Sequence, residues 1–177
     1  MRLIIADAGP LIGLARINKL NLLQTLFHKV SITAVVAEEI GVLANPSAQS
    51  KQPGQEILKQ SLAQGWIEVI TTGAYNAYQP LNPGVDKGEA SAIGLALELR
   101  NSGSDVLLLI DDRCGRAEAN LQGIPLIGTA AVLVLAKELG HIQACRPLLD
   151  ALVEEGYYLS EALLQAVLQQ AGEPPPN

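Results

Sequence analysis

Leu3-Ile4-Ile5-Ala6-Asp7 runs four apolar residues into an acid, and Val106-Leu107-Leu108-Leu109-Ile110-Asp111-Asp112 repeats the device far down the chain. Short apolar runs of this kind suit strands covered on both faces, as in a parallel sheet flanked by helices. Helix and strand patterns alternate around them, so the sequence predicts an α/β fold with a parallel sheet. In such sheets sites gather beyond the carboxyl ends of the strands. Asp7 and the Asp111-Asp112 pair both fall at such ends and are expected to be neighbours. A desolvated carboxylate is costly without a partner, so something must compensate them. A shared divalent cation is one compensation, and it points to metal-dependent phosphate chemistry.

Working outward, residues 2–6 form the first predicted strand, and Pro10 after Gly9 suits a first helical turn. Leu11 to Ala15 and Lys19 to Phe27 read as short helices, and Val30 to Ile32 as a second strand. Thr33 is placed to cap a helix reaching about Leu43. Asn45 to Gly54, polar with two Pro and a Gly, is predicted to be a loop. A helix over Gln55 to Ala63 and a strand over Trp66 to Ile70 follow, then a surface loop from Tyr75 to Val85. Asp86 caps a long helix ending near Arg100. Strand 106–110 leads into a helix over Arg113 to Leu121, a short strand near Pro125 to Ile127, and a helix from Gly128-Thr129 to Gly140. Helices over Arg146 to Glu155 and Ser160 to Ala171 finish the pattern.

At 177 residues, 49% of them hydrophobic, the chain has enough apolar material for one domain with a sizeable core and is not disordered overall. One Phe, one Trp and four Tyr leave few rings for stacking bases. The net charge of −6 argues against coating nucleic acid through a broad basic face. It leaves a nuclease open, because metal-binding carboxylates are themselves negative. No apolar stretch approaches a membrane span, and the opening lacks a secretory pattern, so a cytoplasmic protein is expected. Cys114 and Cys145 fit neither a disulfide framework nor a zinc motif, and His28 and His141 are not spaced as ligands.

Each acid has a plain structural alternative. Asp7 serves either as a ligand or as a turn residue before Gly9-Pro10, and one of Asp111-Asp112 can cap the helix that follows. Glu89 shares a helical face with Ile93, Ala96 and Leu97, which turns it toward the sheet; alternatively it complements the helix dipole. Val36, Ile40 and Leu43 form a stripe that includes Glu39 and leaves Glu38 nearer solvent. Glu39 is thus the better candidate. Together these acids suit Mg²⁺ or Mn²⁺, hard ions that favour carboxylate oxygens.

Five segments then occur in a telling order: Asp7-Ala8-Gly9-Pro10-Leu11-Ile12-Gly13-Leu14-Ala15; Val36-x-x-Glu39-Ile40; Asp86-x-Gly88-Glu89-Ala90-x-Ala92-Ile93; Leu109-Ile110-Asp111-Asp112-Arg113-x-Gly115-Arg116; and Gly128-Thr129 with Val132-Leu133 and Ala136-Lys137. This series resembles the PIN-domain superfamily, in particular the PIN-like branch found beside small antitoxins. The resemblance spans roughly Met1 to Ala171 and leaves 172–177 as a disordered tail. It implies a three-layer α/β/α fold with a central, mainly parallel sheet, a Mg²⁺ or Mn²⁺ site, and ribonuclease activity in a toxin paired with an antitoxin. It assigns Asp7, Glu39, Glu89 and Asp111 or Asp112 to the catalytic acids, with Asp7, Glu89 and the Asp111-Asp112 pair as metal ligands. Arg113 and Arg116 are either phosphate contacts or solvated helix charges. Ala8-Gly9 stands where a common PIN opening carries a hydroxyl residue, which removes a hydrogen bond beside the first acid.

Two other classes compete. One is a non-catalytic PIN-like module binding RNA or a protein. The other is a nucleotide- or phosphosugar-handling enzyme, which lacks support because no glycine-rich phosphate loop is present and Gly9 replaces the second acid of an Asp-x-Asp. Leu159, Leu163, Leu164, Val167 and Leu168 form an apolar stripe on the last helix. It packs either on the domain itself or, with the helices near Leu11 to Phe27, in a homodimer or antitoxin interface.

Overall fold

A computed structural model describes residues 2–43 and 54–174. Its centre is a five-stranded sheet of β1 (Leu3–Ala6), β2 (Val30–Thr33), β3 (Ile67–Ile70), β4 (Val106–Leu109) and β5 (Leu126–Ile127), in the order β3-β2-β1-β4-β5. Every pairing is parallel. Chain order runs one way from β1 to β3 and the other way from β4 to β5. The sheet therefore reverses between β1 and β4, and the crevice beyond their carboxyl ends is the natural site of such a fold. Asp7 and Asp111-Asp112 follow these two strands.

Strand alternation distributes the core over both faces. Ile5 opposes Leu108 in the β1–β4 register, and both pack with Ala92, Ile93 and Ala96 of α5 (Lys87–Asn101) and Ala119 of α6 (Arg113–Leu121). On the other face Ile4, Ala6 and Leu109 meet α1 (Ala8–Arg16), α2 (Asn21–Phe27), α7 (Thr129–Glu138) and α8 (Arg146–Glu154). α3 (Ala34–Glu39), α4 (Gln55–Ala63) and α9 (Glu161–Gln170) complete that layer. The three-layer α/β/α arrangement expected from the sequence is present.

Several boundaries differ from those expected. α1 begins at Ala8, directly after Asp7, and absorbs Gly9-Pro10 in its first turn, where Pro costs no hydrogen bond. α3 stops at Glu39 rather than Leu43, because Gly41 adopts φ +69°, the left-handed geometry that ends helices. The expected Asn45–Gly54 loop lies outside the described residues except for Gly54. The 75–85 loop contains a 3₁₀ turn over Ala74–Ala77.

That loop is pinned by a residue that no motif or periodicity singles out. Glu118 of α6 is fully buried and accepts hydrogen bonds from the Tyr78 hydroxyl (2.5 Å) and the backbone N–H groups of Leu81 (3.1 Å) and Asn82 (3.0 Å). Burial works against its charge, but these donors outweigh it and hold the carboxyl below its ordinary range.

The C-terminal stripe mostly serves the domain itself. Val167 and Leu168 are buried, Leu164 packs against the core, and Leu163 stays exposed. Leu11, Leu14, Leu22 and Leu23 of the first two helices are also internal, so they offer no free dimer face. Glu173, assigned above to a disordered tail, is instead anchored. It accepts from Lys137 Nζ (2.8 Å) and from the N–H groups of Cys145 (2.6 Å) and Arg146 (2.9 Å). Burial opposes its ionisation, yet these donors bring its carboxyl down to about 2.

Glu118→Ala strips three donors of their acceptor inside the fold. Urea unfolding is expected to show a loss of about 2–4 kcal/mol. A loss below about 0.5 kcal/mol would show that the loop does not depend on this carboxylate.

Candidate active site

Asp7 is the residue at which β1 turns into α1. Its backbone is extended (φ −80°, ψ 167°), and its side chain makes no capping hydrogen bond to the helix it precedes. It is 6% exposed. Burial above all pushes its carboxyl up to about 7; the Ala8 N–H partly offsets this, and the charges of Glu39 and Asp86 add to it. A buried carboxylate raised that far in the crevice at a strand end marks a candidate functional group.

Glu89 reaches the same crevice from the first turn of α5. Here the two uses foreseen for it coincide. It forms a reciprocal cap with Asp86: the Glu89 N–H donates to Asp86 Oδ1 (2.8 Å), and Glu89 Oε2 accepts from the Asp86 N–H (3.1 Å). The cap fixes where Glu89 sits and leaves its charge facing the other acids. Burial raises its carboxyl to about 7, against the Asp86 N–H, with Asp86, Asp112 and Asp7 repelling it further. Gly115 makes room: a Cβ there would stand 2.5 Å from Ile110 Cδ1 and 3.1 Å from Glu89 Cδ.

Glu39 departs from its expected setting. As the last residue of α3 it is exposed, not buried within the apolar stripe. Its carboxylate nevertheless leans toward the cluster, since a Cβ on Gly88 would collide with Glu39 Oε2. Partial burial and then the charge of Asp86 raise its pKa. Gly88 on α5 and Gly115 on α6 put no side chain into the volume where these carboxylates meet.

The Asp111-Asp112 pair divides. Asp112 caps α6, its Oδ1 accepting from the N–H groups of Cys114 (2.6 Å) and Gly115 (3.2 Å), and its charge acts on Glu89. Asp111 is occupied elsewhere. Its Oδ1 accepts from the Thr129 N–H (2.8 Å) and its Oδ2 from the Thr129 hydroxyl (2.6 Å). It also lies beside Tyr157, whose phenol is raised first by burial and then by that carboxylate. Asp111 thus ties β4 to the start of α7.

Asp86 is the acid that sequence reasoning placed only as a cap. Its field reaches Asp7, Glu39 and Glu89. The signal was its position three residues before Glu89, which brings a cap and a first-turn acid together. Among the described residues, none of the ion pairs involves Asp7, Glu39, Asp86, Glu89 or Asp112. Arg116 lies close by but donates to the Ile110 carbonyl (3.0 Å), and Arg113 stands exposed at the start of α6.

A cluster of carboxylates without His or Cys, with Lys87 at its outer edge beside Glu39 and Asp86, fits a hard divalent ion by its donor chemistry. The side chains are not drawn into a finished cage, however: among the described residues, no group of three or more His, Cys, Asp or Glu stands ready to hold a metal.

The raised carboxyls fix a pH signature. The folded chain holds protons on Asp7 and Glu89 that the unfolded chain, with ordinary values of 3.8 and 4.5, has released. Their stabilising effect is full below those values and is lost as pH rises through about 7. In chelator near pH 8, Asp7→Asn is therefore expected to melt above the wild type. Mn²⁺ should raise the wild-type melting temperature more than that of the variant. A variant that melts at or below the wild type in chelator would contradict this electrostatic picture.

No curated protein matches the chain. Residues 3–173 match the PIN-domain family, whose fold is of the nuclease type. With that match running almost end to end over the sheet, its switch point and the acids described here, the chain belongs to the PIN-domain family.

Proposed function

We propose that this protein is a Mg²⁺- or Mn²⁺-dependent endoribonuclease, acting in the cytoplasm as the toxin of a toxin–antitoxin pair. The observation that carries the proposal is the pairing of Asp7 and Glu89, two buried carboxylates raised to about 7 with no ion-pair partner among the described residues, at the switch point of the sheet. Asp7, Glu89 and Asp112 are the residues that would hold the ion, with Glu39 and Asp86 adding negative field at the edge. Asp111, with both oxygens on Thr129, is assigned a positioning role rather than ligation. The bound ion supplies a lowered water pKa and stabilisation of the departing oxyanion at a phosphodiester.

The chain's own groups account for the rest. The Asp86–Glu89 cap holds Glu89 in place before any ion arrives, and the Cys114 and Gly115 N–H groups do the same for Asp112. Glu39, exposed at the end of α3, is placed to orient a water or take up its proton. Arg113, exposed and directly after Asp112, suits a substrate phosphate. The antitoxin pairing draws on the family, whose members often act on RNA and pair with antitoxins. A homodimer is retained as the default assembly.

Two observations favour a second reading, a non-catalytic PIN-like module that binds RNA or protein. The acids do not form a finished cage, and Ala8-Gly9 supplies no hydroxyl beside Asp7.

Cleavage of a varied RNA pool, with Mg²⁺ or Mn²⁺ and with chelator, separates the two. Wild type is expected to cleave only with metal. Asp7→Asn and Glu89→Gln should lose on the order of a hundredfold or more, since even outer residues of metal sites cost 10–100-fold. No cleavage by wild type with either metal, or equal cleavage by Asp7→Asn, would favour the binding module.

A further inference from the structure

Past Asp112 the surface opens into a cleft of about 820 Å³ between the start of α6, the start of α7 and the C-terminal helix α9. Its lining has three chemistries, the first being the carboxylates of Asp111 and Asp112 at the edge nearest the acid cluster. Arg113 and Arg116 come from α6, while Tyr157, Tyr158 and Leu163 come from the α8–α9 connection and α9. A site of this size takes a small ligand or a nucleotide or two.

The aromatic side is built, not incidental. A Cβ on Gly13 of α1 would stand only 3.2 and 3.3 Å from the Tyr157 ring, so the glycine lets that ring seat against the helix. Its phenol lies beside Asp111 and Thr129, which fixes the other end. Next to this fixed ring Tyr158 is 86% exposed, and Leu163 is 44% exposed. Leaving a large ring open beside a cleft costs nothing if a flat partner covers it in use.

The cationic side complements phosphate. Among the described residues Arg113 makes no side-chain hydrogen bond or ion pair, and Arg116 commits one nitrogen to the Ile110 carbonyl. The two arginines offset Asp111 and Asp112 in the same lining, and Asp111 is already engaged by Thr129. The cleft is also continuous with the acid cluster, because Asp112 both lines it and acts on Glu89.

We infer that this cleft binds the single-stranded RNA flanking the scissile bond, with phosphate on Arg113 and Arg116 and a base stacked on Tyr158. The inference rests on the ribonuclease proposal and names a substrate subsite for it. Stacking on an open ring requires an unpaired base, so single strands bind and duplexes do not. A protein segment is the competing occupant, but nothing apolar on that scale requires two arginines at the same wall.

The test is equilibrium binding of a fluorescein-labelled single strand of about twelve nucleotides, in chelator so that nothing is cut. Tyr158→Ala should weaken binding about tenfold, and Tyr158→Phe should retain wild-type affinity, because the stacking face survives. Arg113→Ala should weaken binding and reduce the salt slope by about one ion. Melting temperatures should be unchanged in all three, since both side chains are exposed. Affinities within twofold of wild type for Tyr158→Ala and Arg113→Ala, or preference for a duplex, overturn the proposal and leave the cleft to a protein segment. Absence of RNA binding by wild type also overturns it. A wild type that binds through these residues but never cuts would instead defeat the ribonuclease reading alone.

Discussion

A carboxylate sealed at the end of a buried strand is unstable as an ion unless positive charge is brought to it, and among the described residues no side-chain cation pairs with Asp7. The rest of the site is arranged around that one fact. Glu89 is pressed into the same volume from α5, Asp112 from the turn after β4, and Glu39 from the end of α3. Each makes the others harder to ionise. An apolar pair at Asp7 and Glu89 would be the easier solution for folding alone, so the expense has to be justified by what enters the crevice.

The fold bears this strain through inexpensive local devices. Glu89 is bound into a reciprocal cap with Asp86, so its position is set by helix chemistry and not by the metal. Asp112 is likewise a helix cap. Gly88 and Gly115 give the carboxylates the space a side chain would take. Asp111 does the opposite work: its two bonds to Thr129 hold the β4 turn against α7 and free Asp112 to face Glu89. Adjacent acids of the same type therefore divide between holding the frame and occupying it.

Much of this was legible in the chain. The apolar runs ending in Asp7 and Asp111-Asp112 specified parallel strands and the edge they share, and α4 and α6 fall where helical periodicity placed them. The inward phase of Glu89 along α5 was equally readable. Glu39 was not, because its exposure depends on Gly41 closing α3 early, a choice of backbone angle rather than of hydrophobic pattern. The split of Asp111 from Asp112 was hidden for a different reason: it is decided by Thr129 and Tyr157, residues distant in sequence. Glu118 and Glu173 were hidden likewise, since a buried acid satisfied by backbone donors from another segment leaves no periodic signature.

The central claim is that Asp7, Glu89 and Asp112 form one cation site that Asp111 supports without joining. Calorimetric titration with Mn²⁺ addresses it directly. Wild type is expected to show a single site, with binding lost or weakened at least tenfold in Asp7→Asn, Glu89→Gln and Asp112→Asn, and affinity within a few-fold of wild type in Asp111→Asn. Equal binding by Asp7→Asn and wild type, or loss confined to Asp111→Asn, would contradict it.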